Sequence, residues 1–385
     1  MRVSFAKTLS RVAVCLIASA TLTGCSLFGS TDDRYKPAPL ASFLPEAAPQ
    51  SAWKTQIGSG SGLGFAPAIV DGAAYAATPD GAVIKVDLQS GGIVWRAMVD
   101  KKLSAGVGSD GKVSAVVTRE GVVVALDESG QIKWRAQATS DVSVPPVVGY
   151  GVVVVRSGDY RVQAFNAETG DRIWSVQRPG PALTLRAAAR MAMMEGLVIS
   201  AIPGGKLLGI NAVSGDVQWE GTVAIPKGST DLERVIDVVG APVVLGQLMC
   251  AVSYQGRIVC FDIAAGGRTA WSKDFSSLAG LALDNLHVYA PNQIDVVTAL
   301  NIQNGAIVWS QDALKNRKLT SPAALASAVA VGDFEGFVHF MAQKDGHFLA
   351  RVSVGGGAIR SPLMSTPQGV LVQTGDGALV MLALK

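Results

Sequence analysis

Apolar and polar positions alternate along this chain in one recurring pattern. Short runs rich in Val, Ile and Ala are each stopped by Gly, Asp, Asn or Pro. In PAIVDGAAYAATPDGAVIKVDLQSGGIVW (67–95) four such runs follow one another, separated by turn residues. Beyond the first 50 residues no long stretch carries the 3.6-residue period of an amphipathic helix, so the pattern predicts strands joined by tight turns. The second half of this unit returns as GVVVALDESGQIKW (121–134), RVQAFNAETGDRIW (161–174), KLLGINAVSGDVQW (206–219), GRIVCFDIAAGGRTAW (256–271) and IDVVTALNIQNGAIVW (294–309). A seventh copy, GFVHFMAQKDGHFLA (336–350), ends in Ala350 where Trp is expected, and an eighth, GALVMLALK (377–385), stops after one strand. The Trp strand missing from the eighth copy stands at the other end of the repeats, as Ala52-Trp53-Lys54.

All seven tryptophans occupy this one repeat position, which sets the register. Eight units of roughly 42 residues suit four-stranded blades. An open stack of such sheets would leave unpaired edges, whereas a last blade shared between the N- and C-terminal strands closes a ring. The expected fold is all-β, an eight-bladed β-propeller over residues 51–385.

In this register the recurring polar residues have a local explanation. Asp87, Asp127, Asn166, Asn211, Asp262 and Asn301 each precede a turn with Gly a few residues on. Asx side chains hydrogen-bond nearby backbone and Gly supplies positive φ, so turn chemistry is favoured over a catalytic or metal-binding set. The tryptophans are expected to pack between neighbouring blades, each with an N–H that needs an acceptor. Stacking on carbohydrate is the rival reading.

The ends are different material. Residues 1–24 carry Arg2, Lys7 and Arg11, an apolar stretch from Val12 to Ala20, and no acidic residue, the layout of a secretory signal peptide. It ends in Leu22-Thr23-Gly24-Cys25, which resembles the lipobox of bacterial lipoproteins. By that resemblance Cys25 is lipidated and becomes the first mature residue. Ser26 follows it, where Asp would resemble an inner-membrane retention signal, so the outer membrane is expected. Residues 25–50 contain Pro37, Pro39, Pro45 and Pro49 and read as an extended tether.

Loss of the signal peptide changes the charge. The chain has 33 basic and 30 acidic residues, and removing Arg2, Lys7 and Arg11 leaves 30 of each. A neutral body without charged blocks lacks the field that nucleic-acid binding needs. The three histidines, His287, His339 and His347, show no metal-ligand spacing, and no GxSxG elbow or Walker loop is present. No cofactor or metal is expected. Cys250 and Cys260 lie on two runs joined by a turn at Tyr254-Gln255-Gly256. A three-residue loop like Pro79-Asp80-Gly81 would pair them directly and a two-residue turn would put them on opposite faces. A disulfide and two buried free thiols both fit.

The repeat resembles the tryptophan-docking, PQQ-like repeats of pyrroloquinoline quinone dehydrogenases, so a PQQ-dependent periplasmic oxidoreductase is one reading. Those enzymes are similar to one another in an adjacent Cys-Cys pair and a calcium site; this chain has no adjacent cysteines and few insertions. A cell-wall-binding lipoprotein is another. The lipobox, the tether and eight minimal blades together resemble the BamB family, lipoproteins of the outer-membrane β-barrel assembly (BAM) complex. The specific elements are Leu183-Thr184-Leu185-Arg186, which resembles that family's LSLR motif, and the segment from Leu232 to Asp237.

The resemblance implies a non-enzymatic scaffold on the periplasmic face of the outer membrane. It implies docking on a POTRA domain of BamA through Leu183, Leu185, Arg186 and Asp237. Other BAM subunits and unfolded outer-membrane barrels are the further candidate partners. The family pattern has a second acid two residues after Asp237, where this chain has Val239. Independently of the resemblance, the connections Trp174–Gly196 and Trp219–Gly246 are the two longest between a Trp position and the next turn, and they are consecutive. They are expected to emerge side by side on one face, where a rigid scaffold presents partner sites.

Overall fold

Eight antiparallel four-stranded sheets follow one another along the chain in the computed structural model, which describes residues 33–179 and 189–384. Two compact units divide the chain, Met1–Pro37 and Ala38–Lys385. In the first, the described residues hold one 3₁₀ turn, Asp33–Tyr35. The second is the propeller. Blade 1 is built from Ala68–Val70, Ala73–Ala77, Ala82–Asp87 and Ile93–Met98, paired in that order from the inner to the outer strand. Blades 2 to 7 repeat this arrangement at 108–137, 147–177, 192–222, 238–275, 282–311 and 323–353. Blade 8 takes Met364–Thr366, Gly369–Gln373 and Ala378–Ala383 from the C-terminal end and Gln50–Gln56 from the other end. Trp53 pairs with Met381 there, so the ring closes as the repeat pattern predicts.

Core clusters lie between adjacent blades. Val117, Val123 and Trp134 of blade 2, for example, pack with Val153 and Phe165 of blade 3. The middle strands are buried along nearly their whole length because both of their faces meet a neighbouring blade, which is why they are continuous Val, Ala and Leu runs. In each blade the outer strand carries a bulge beside the Trp position, for instance between the partners Lys85 and Val86. The bulge turns the ring toward the next blade and leaves two preceding residues outside, as at Ile93 and Val94.

Each tryptophan docks on the turn between the two outer strands of the following blade. Trp134 lies against Gly170 and Trp309 against Gly346; a Cβ added at Gly170 would stand 2.7 Å from the indole. The indole N–H donates to a carbonyl of the same turn, Trp134 to Ala167 at 2.9 Å and Trp174 to Ala212 at 2.9 Å. The Asx side chains shape these turns, as expected: Asn166 Oδ1 accepts from the N–H of Glu168 and of Thr169.

Two exceptions follow from the same geometry. The blade 2 turn is one residue shorter, closing from Gly130 N to Asp127 O, and the Nε1 of Trp95 that faces it is buried without an acceptor. Ala350 stands in the blade that precedes the seam. The outer strands of blade 8 are the two chain ends and are not joined by a turn, so a tryptophan there would have nothing to dock on. Ala350 belongs instead to the core cluster shared by blades 7 and 8, against which Ala47, Leu349 and Leu384 also pack.

The folded unit starts earlier than residue 51. Residues 38–47, expected to belong to an extended tether, form a strap over blades 6 and 7. Ala38 N–H donates to Lys315 O, Arg317 donates to Ala38 O and Arg351 to Ala41 O. Phe43 stacks on Phe348 at 5.3 Å, and Glu46 and Ala47 N–H groups both reach Leu349 O. Isolated prolines in this stretch interrupt any periodic signal but leave the other backbone groups able to pair. Arg317 and His339 both donate to the buried carboxylate of Asp333, which is held below its usual range by those bonds despite burial.

Cys250 and Cys260 pair directly across strands Leu248–Ser253 and Gly256–Asp262 and form a disulfide, with Cα atoms 4.1 Å apart. The loop has the length of the Pro79-Asp80-Gly81 turn, but its left-handed residue is Gln255 and not the glycine.

Candidate functional site

Connections between blades and the turns joining the two middle strands share one face of the ring; the remaining turns share the other. On the first face the two longest connections meet. Ala189, at the end of the blade 3–4 connection, forms a parallel bridge with Gly240 on the inner strand of blade 5, and Arg190 N–H donates to Gly240 O at 2.8 Å. Gly240 has φ +69° and its missing Cβ would fall 2.4 Å from the Gly280 Cα, so only glycine allows blades 5 and 6 to approach this closely.

Between these connections and blade 3 lies a cavity of about 290 Å³, lined by Asp141, Arg156, Tyr160, Ala189, Ile202 and Asp237 among others. Arg156 ends the run of four valines in strand Val152–Arg156, at the end of the strand nearest this face. Its Nη1 donates to Ala201 O at 2.5 Å. Burial lowers its pKa to about 10, and the nearby Asp237 carboxylate pushes in the opposite direction. Asp237 is itself only 9% exposed, and its carbonyl accepts from Tyr254 N–H. The acid therefore works in the cavity wall opposite Arg156, where each charge offsets the desolvation of the other.

The remaining candidate residues fall as follows. Leu183, Leu185 and Arg186 lie outside the described residues, as does Cys25. Val239 is 1% exposed and packs with Val252 and Cys250, so its position points into the core and not at a partner. Beyond the named acid, the second connection presents Leu232 at 73% exposure and Ile225 at 58%. Its tip is a tight turn in which Glu233 accepts from Ser229 and Thr230 N–H groups. Leu232 stood within the segment singled out by sequence, but its exposure carries no periodic signal. Arg156 was missed; a cation closing an all-valine run was the available sign. Among the described residues no group of three or more His, Cys, Asp or Glu side chains gathers to hold a metal.

These features define a class: an eight-bladed propeller of tryptophan-docked repeats, with two enlarged connections meeting on one face. A family model described as outer membrane protein assembly factor BamB matches residues 79–311. The protein of that name from Bordetella pertussis is 63% identical over 97% of this chain and 96% of its own length. That from Burkholderia pseudomallei is 38% identical over 94% and 95%. This chain belongs to the BamB family of outer membrane protein assembly factors. The crystal structure of BamB from Moraxella catarrhalis superposes with a TM-score of 0.79 at 24% identity, covering 87% of this chain and 100% of that one. The quinohemoprotein alcohol dehydrogenase from Comamonas testosteroni reaches 0.66 at 13% identity, covering 87% of this chain and 76% of that one. At such identities both likenesses speak for the fold alone.

Proposed function

We propose that the protein is a non-enzymatic scaffold subunit of the outer-membrane β-barrel assembly machinery, held to the periplasmic face of the outer membrane by lipid on Cys25. It docks on a POTRA domain of BamA through the connections 174–196 and 219–246 and assists the insertion of barrel proteins. The observation that carries this reading is the bridge between Ala189 and Gly240, which joins the two enlarged connections into one surface. Leu232 supplies exposed apolar area there, and Leu183, Leu185 and Arg186 belong to the first connection. Buried anchors of this kind, arginine above all, often cost about 2 kcal/mol or more when truncated.

Arg186→Glu and Leu232→Asp are each expected to weaken binding to purified BamA by more than about tenfold with an unchanged thermal midpoint. Asp237→Lys is a poorer probe, because a second cation beside the half-buried Arg156 lowers stability as well as binding. Normal BamA binding by both of the first two variants would remove the proposed docking site.

A further inference from the structure

The inner strands of blades 5 to 8, with the approach to blade 4, line a second, half-open cavity of about 330 Å³ in the bore of the ring. Val243, Leu281, Leu283 and Leu363 line it, with Ser321 and Ser365 between them, and among the described residues its one charged lining residue is Arg190. Arg190 leaves blade 4 and ends with Nη1 3.7 Å from the Sδ of Met364, on the inner strand of blade 8. Blades 4 and 8 stand opposite each other in an eight-membered ring, so this side chain spans the bore.

A thioether is a weak acceptor, and a guanidinium carries five donors. Among the described residues, no carboxylate or carbonyl accepts from this one. Partial burial against the wall of the bore lowers its pKa to about 10. It is still a cation at neutral pH. The other deeply placed guanidiniums are satisfied: Arg317 holds Asp333 and Arg156 holds Ala201 O. Arg190 is the exception: its described acceptor is a thioether, and its remaining donors are left to the half-exposed space of the bore. Ser321 Oγ accepts from Gly280 N–H at 2.9 Å, which leaves its hydroxyl hydrogen for an acceptor in the cavity.

We propose that the bore is a binding site for a small amphipathic carboxylate, whose apolar body lies against Leu281, Leu283 and Leu363 and whose two oxygens accept from Arg190. A planar carboxylate matches the guanidinium fork. One guanidinium fork matches the two oxygens and single charge of a carboxylate, and offers a phosphate-like dianion no second cation. Mostly apolar pockets with a few converging polar groups, about this size or larger, are the usual form of a small-molecule site.

The probe is octanoate, with octanol and octylamine as controls, titrated by calorimetry and by NMR of ¹³C-methyl methionine. Octanoate is expected to bind and to shift the Met364 methyl resonance, assigned through Met364→Leu. Arg190→Met should weaken octanoate at least tenfold, leave octanol unchanged and unfold no earlier than the wild type. Arg190→Lys, which keeps the charge but not the fork, should fall between the two and serves alone if the methionine variant does not fold. The proposal is overturned if octanoate and octanol bind the wild type equally, if Met364 does not move, or if octanoate affinity survives loss of the guanidinium.

Discussion

Trp95 and Trp134 occupy the same repeat position but differ in one hydrogen bond, and that difference predicts opposite responses to the same substitution. Trp134→Phe removes the indole N–H that donates to Ala167 O at 2.9 Å and leaves a buried carbonyl unpaired. Trp95→Phe removes a buried N–H that has no acceptor. The smaller ring costs similar packing at both sites, so that contribution cancels in the comparison. A net hydrogen bond is worth about 1 kcal/mol, and an unsatisfied buried polar group costs about 1–3 kcal/mol. Trp134→Phe should therefore be less stable than Trp95→Phe by roughly 2–4 kcal/mol. Urea unfolding followed by intrinsic fluorescence measures it, as the difference in midpoint multiplied by the shared slope. If Trp95→Phe proves the more destabilised of the pair, the account of the shortened blade 2 turn is wrong.

Two further outcomes test the frame of the ring. Reducing the Cys250–Cys260 disulfide, or replacing both cysteines by alanine, should cost about 2–3 kcal/mol by loop-closure entropy across ten residues of separation; equal urea midpoints with and without reductant would contradict the bond. A chain beginning at Gln50 loses the strap but keeps the closing strand and should melt somewhat lower, whereas one beginning at Ile57 exposes the edge Ala378–Ala383 and should melt far lower and aggregate. Coincident melting curves for the two truncations would refute the shared eighth blade.

What the sequence made legible was whatever repeats. The Trp register placed the outer strand of every blade, and the displaced Trp53 announced the seam, because both are consequences of one unit copied around a ring. The Asx turns were readable for the same reason, since their hydrogen bonds are local. What escaped depends on single long-range contacts. The strap at 38–47 pairs with residues some 300 positions away, and nothing periodic marks Phe43 as the partner of Phe348. Asp237 was legible as a site residue through family resemblance, but its burial opposite Arg156 depends on how blade 3 meets the 4–5 connection. Val239 reads as a lost acid in a motif and is, in three dimensions, part of the blade 5 core. The cysteine pairing turned on loop length, which two alternative turns left open until the register was seen.

The strap also decides where a mechanical load would enter the molecule. A pull on the chain upstream of Ala38 reaches the propeller first at Lys315 and Arg317 and only afterwards at the closing strand Gln50–Gln56. The junction between blades 7 and 8 is the one without a tryptophan peg, and it is the junction that the strap crosses on its way to that strand. Tension is thus taken up on blades 6 and 7 before any reaches the seam, much as a strain relief protects the soldered end of a cable. A ring closed by its own terminus can then be tugged from that terminus without being unzipped.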